Sequence, residues 1–151
     1  LEQAVLEEQA HWTLQVWKEV TMQDIALAFR SHMIQQDAIT AVFGDRVHID
    51  DIPQNAVYPC VRIQVISDYP KRSLSGTGLG KALMQLNVVD PSRVVVGESG
   101  EVLRSVYDGF TGPIGEFKTR VAVVNVTSDW IENAKVYIRM VEVDVGYVRE
   151  K

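Results

Sequence analysis

Two stretches near the middle of the chain alternate between apolar and polar residues with a period of two. In VRIQVIS, Val61, Ile63 and Val65 share one parity, while Arg62 and Gln64 take the other. In KALMQLNV, Ala82, Met84, Leu86 and Val88 alternate with Lys81, Gln85 and Asn87. Successive strand residues point to opposite faces, so both segments are predicted to be half-buried strands sharing one core. Between them, DYPKRSLSGTGLG reads as a connection of 13 residues, longer than a compact domain needs and therefore a candidate functional arm.

Upstream the period is helical. Met22, Ile25, Ala26, Phe29 and Met33 recur on one face, and Thr21 with Asp24 resembles a capping box at the start. A shorter helix is predicted over DAITAVFG, with Asp37 as N-cap and Gly44 as stop. A short strand over residues 46–49 and the polar connection DDIPQNAVYP follow. After Asp90 and Pro91, an irregular stretch leads into SGEVLRSVYDGF, where Val102, Leu103, Val106, Tyr107 and Phe110 keep helical spacing. FKTRVAVVNVTSDW and AKVYIRMVEVDVGYV read as two long strands around the connection IEN.

The last strand changes phase. Val136, Ile138 and Met140 share one parity, whereas Val141, Val143, Val145 and Tyr147 share the other. A β-bulge near Met140 accounts for this, and so does burial of both faces, one on the core and one on another subunit. Residues 1–20 read as a helical or poorly ordered leader with Val5, Trp12, Val16, Trp17 and Val20 in a rough stripe. Trp12 and Trp17 suit docking onto a neighbouring subunit. The element order predicts an α+β fold: an antiparallel (mixed) sheet with helices packed on one face and a long hairpin arm. A single domain over residues 21–151 follows the leader.

Composition narrows the class. A chain of 151 residues with 46% apolar and 23% charged residues is one globular domain. No apolar run approaches the roughly 20 residues that cross a bilayer, and no signal peptide is visible. A formal charge of −5 argues against a protein that wraps nucleic acid. Cys60 is the single cysteine, which excludes an internal disulfide, and it reads as a buried thiol. His11, His32 and His48 lack ligand spacing, and His32 shares a helical face with Ile25 and Phe29, as a half-buried, hydrogen-bonded histidine would. No metal, cofactor or catalytic set is expected.

The glycines of SLSGTGLGKAL raise the question of a phosphate loop. A Walker-type loop needs Gly-Lys followed by Ser or Thr, and here Ala82 follows Lys81, with Ser75 where the first glycine belongs. A dinucleotide loop opens a helix, whereas these glycines precede a strand. They are read as letting a hairpin bend. On that arm, Tyr69, Lys71, Arg72, Leu74 and Leu79 are the residue types a protein contact uses, and they are the candidate interface. Asp50 and Asp51, adjacent acids before Ile-Pro, read as a solvated turn.

The order of these elements resembles the tail-completion family of long-tailed bacteriophages. Gly44, Asp45, Arg46 and Val47, then Asp51, Pro53 and Pro59, and later Asp108, Gly109, Phe110 and Gly112 carry the resemblance over residues 22–150. The leader has no counterpart in it, and SRVVVGESG departs from the family's uninterrupted helix start. The resemblance implies a structural virion protein of the phage neck, assembled in the bacterial cytoplasm. It would form a ring of six copies that caps the tail tube (a tail terminator) or joins the tail to the head connector. The implied partners are further copies of the chain, the tail tube protein and a head connector or head-closure protein, with DNA passing through the channel unbound. The alternatives are another neck ring, such as a head-closure or connector-adaptor protein, a small nucleotide- or anion-binding enzyme using the 75–81 loop, and a monomeric binding module.

Overall fold

The computed structural model describes residues 24–71 and 78–149. Three helices, α1 (Ile25–Ile34), α2 (Asp37–Phe43) and α3 (Arg93–Tyr107), accompany a six-stranded sheet. Its strands are β1 (Val47–Ile49), β2 (Cys60–Lys71), β3 (Gly78–Asp90), β4 (Thr111–Ile114), β5 (Phe117–Ile131) and β6 (Val136–Arg149). They lie in the order β1-β2-β3-β6-β5-β4, with β1 parallel to β2 and the other pairs antiparallel.

The core forms where the even residues of β3 meet the helices. Ala82, Met84, Leu86 and Val88 are fully buried with Val61 and Ile63 of β2 and Val141, Val143 and Val145 of β6. Phe29 and Met33 of α1, Ile39 and Phe43 of α2, and Leu103 and Tyr107 of α3 close over them in one cluster. The α+β expectation, with helices on one face of a mixed sheet, is therefore the observed architecture.

Local chemistry sets the helix ends. Asp24 is the N-cap of α1, its carboxylate accepting from the Ala26 N–H at 2.9 Å, and Thr21 lies outside the described residues. Asp37 is the first residue of α2, where its charge faces the N-terminal dipole, and the cap position belongs to Gln36. Gly44 ends α2 at a φ of +59°, a conformation that favours glycine. Arg46 then ties the turn down, donating to the Val42 carbonyl at 3.0 Å and the Pro59 carbonyl at 2.9 Å.

Four further expectations change. The stretch read as irregular before Ser99 is the first half of α3, capped by Ser92; Val94 blurs the helical pattern because it faces solvent. A strand is added at Thr111–Ile114, hidden in the sequence by Gly112 and Pro113, and an edge strand tolerates the missing proline N–H. Residues 68–71 and 78–80, read as part of the long connection, belong to β2 and β3, which stay paired out to Lys71 and Leu79, and residues 72–77 lie outside the described residues. The β6 phase change involves no bulge there. Its register with β3 runs unbroken from Gly78–Arg149 to Asp90–Tyr137. The start of β6 is buried on its second face instead, where Val136 and Ile138 pack with Cys60, Val89, Ile52 and Ala56 of the same chain. The bulges lie on β2, between Val65 and Ser67, and on β5, between Val123 and Asn125.

Candidate subunit interface

The base of the β2–β3 arm explains its glycines. A Cβ on Gly80 would sit 2.2 Å from the Tyr147 ring, and one on Gly78 would sit 3.2 Å from the Arg149 Cβ. Bare backbone at Gly80 thus lets Tyr147 lie across β3 from β6 and donate its hydroxyl to Asp68 of β2 at 2.5 Å. Phe117 packs edge-on against Tyr147, with ring centroids 5.2 Å apart, and carries the Arg149 guanidinium over its face at 5.6 Å. Arg149 pairs with Glu116 at 2.7 Å. Three strands are clamped where the arm leaves the body. Burial and the Asp68 hydrogen bond push the Tyr147 hydroxyl well above the ordinary tyrosine range, so it stays a donor. Gly78 and Gly80 are paired strand residues under side chains, a geometry with no exposed N–H cradle for a phosphate.

Of the expected interface residues, Tyr69 is 67% exposed and Leu79 37%. Tyr69 pairs with Lys81, a register position on the face away from the helices, and Lys71 pairs with Leu79. Arg72 and Leu74 lie outside the described residues, as do Trp12 and Trp17. On the polar face nearby, Lys81 pairs with Asp144 at 3.0 Å, and the neutral Gln85 amide donates to Glu142 at 3.1 Å.

A second exposed region escaped the sequence reading. At the far end of the sheet, Trp130 and Tyr137 face each other across β5 and β6, with ring centroids 4.5 Å apart. They line an open cleft with Arg93, Val94, Ser128 and Arg139. The available signal was Trp130 beside the polar turn after Ile131, but its strand partner is seven residues away and invisible to a local pattern.

Elsewhere, His32 is half-buried as expected. The Gln36 amide donates to its Nε2 at 3.3 Å, which leaves the ring proton on Nδ1, donated to the Tyr107 hydroxyl at 2.8 Å. Burial holds its pKa below the ordinary value. Burial also pushes the Cys60 thiol up to about 11, which keeps it unreactive. Among the described residues, no three His, Cys, Asp or Glu side chains gather as a metal site would need.

With that geometry in view, comparison with known proteins is specific. The family model described as tail completion protein gp17 matches residues 27–109, from α1 through the end of α3. The chain belongs to this tail-completion family. It is therefore a structural protein of the phage virion, placed in the tail. Among solved structures, a chain in the virion of a native gene transfer agent particle shares the fold of this tail-completion protein. Its TM-score is 0.59 at 10% identity, over 79% of this chain and 91% of that one. No curated protein matches the sequence. No helix among the described residues is long and apolar enough to cross a membrane.

Proposed function

We propose that this protein forms a ring of six copies that caps the tail tube and joins it to the head connector. Membership of the tail-completion family carries the reading. The clamped arm supports it, because a hairpin held rigid at its base and exposed at Tyr69 and Leu79 suits contact with a neighbouring subunit or with the tube. A head-to-tail interface that closes into a ring ends growth, whereas one that does not close continues as a filament. On this reading Tyr69, Lys71, Arg72, Leu74 and Leu79 make subunit or tube contacts, and the leader with Trp12 and Trp17 makes further ones. The tail tube protein lies on one side of the ring and a head-closure protein on the other. A net charge of −5, with Lys81 on the polar sheet face paired to Asp144, favours passage of DNA over its binding.

Electron microscopy of particles assembled without this chain tests the proposal. Filled heads beside unjoined tails are expected. Overlong tails assign it to tube termination, and loose tails of normal length assign it to joining. Intact, normally joined particles would overturn it.

A further inference from the structure

Each outer edge of the sheet is half covered and half open, and the two open halves match. On one side β1 pairs with β2 only at residues 61–63, leaving residues 64–71 with no outer strand among the described residues. On the other side β4 covers residues 117–120 of β5. The turn before it continues the cover, since Val121 exchanges backbone hydrogen bonds with Gly109 and Phe110 and the Val123 N–H reaches the Asp108 carboxylate. Residues 124–131 have no outer strand among the described residues. Both open runs begin at one height, marked by the row Val65–Met84–Val143–Val123 and by the two bulges, whose Ile66 and Val124 are exposed. One run extends toward the arm and the other away from it.

Resting on the ring reading, we infer that residues 124–131 of β5 pair with residues 64–71 of β2 in the next copy, joining the subunits into one closed sheet. The strand directions allow it. β2 and β6 run toward the arm end while β3 and β5 run away from it, so a copy related by rotation about the ring axis brings β2 beside β5 antiparallel. Unpaired edges are the usual template for such an addition, and here the partner has the same run length, eight residues on each side. By contrast, the outer edge of β1 is sealed, since the Val47 carbonyl takes a hydrogen bond from Arg30 and the Ile49 carbonyl one from Asp51.

The mismatch in height sets the tilt. Aligning the centres of the two runs displaces neighbours by about five residues, roughly 17 Å at 3.3 Å per residue. Four strands per copy span roughly 19 Å across. Together these give strands inclined about 40° to the ring axis, within the range of closed barrels. Six copies contribute about 24 strands, more than the 16–18 that already leave an aqueous channel. With the helices outside, the lumen is lined by the polar face that carries Lys81, Gln85, Glu142 and Asp144.

Ser67 and Thr127 share that face, and they come opposite each other when residues 64–70 pair with residues 124–130, the register that keeps paired side chains on one face. The full chain carrying Ser67→Cys is mixed with the chain carrying Thr127→Cys, oxidised, and its oligomers are read by native mass spectrometry. Disulfide-linked dimers are expected only in the mixture, and the double variant should give a ladder that ends at the ring number. Cys60 is fully buried and supplies no background. Rings that form without links, or links within either single variant alone, would overturn the edge joint and leave the ring standing. A chain that forms no ring at any concentration would remove both.

Discussion

At Gly80 and Gly97 the same substitution has opposite consequences, because space and not residue type decides. A Cβ at Gly80 collides with the Tyr147 ring, and β3 is held by ladders on both sides. Gly80→Ala is expected to cost about 1–3 kcal/mol and to break the Tyr147–Asp68 hydrogen bond. Gly97 lies inside α3 with nothing within 4 Å of its would-be Cβ. Gly97→Ala should stabilise by about 0.5–1 kcal/mol through helix propensity and the reduced freedom of the unfolded chain. Urea midpoints for the two variants check both signs. His32 gives a pH dependence. Its pKa is lowered in the folded state, so its contribution is complete above the ordinary value of 6.5 and is lost as pH falls toward the lowered one. Below 6.5 the unfolded chain takes up the proton first. Thermal midpoints at pH 7.5 and 5 should differ more for the native chain than for His32→Gln.

Among the elements, α3 is the one whose packing most depends on long-range contacts. Val96, Ser99, Gly100, Leu103 and Tyr107 form its buried face, and Gly100 admits the Arg139 side chain from β6, where a Cβ would lie 2.8 Å from Cδ. Leu103 is fully buried in the cluster that joins all three helices to the sheet, so Leu103→Ala is expected to cost about 2–5 kcal/mol. The N-cap of α1 contributes less. Asp24→Ala removes the hydrogen bond to the Ala26 N–H and should cost about 1 kcal/mol. Chemical denaturation of the two variants tests this ranking.

For the whole molecule, stability and assembly separate. Tyr69 stands exposed on the arm and holds no core contact, so Tyr69→Ala should leave the denaturation midpoint within about 0.5 kcal/mol of the native chain. If the arm contacts neighbours or the tube, the same variant lowers the yield of joined particles in a complementation assay. A folded variant that joins tails normally would remove Tyr69 from the interface.

Much of this was legible in the residues themselves. The alternation at Val61–Ile63 and Ala82–Val88, the helical spacing of Phe29 and Met33, and the stop at Gly44 are local patterns, and burial follows them because a strand or helix must hide its apolar face. The motifs around Gly44 to Pro59 and at Asp108 to Gly112 pointed to the family that the comparison then showed. What the sequence could not determine depends on residues distant along the chain. Gly80 looked like a hinge until Tyr147 came to lie on it, 67 positions later. The phase of β6 left a bulge and burial of both faces equally open because its second cover, Ile52 and Ala56, lies about 80 positions upstream. The open halves of the two sheet edges exist only once six strands have taken their order. Periodicity determines which face of an element is apolar, whereas only tertiary packing decides what covers that face and which edges stay open.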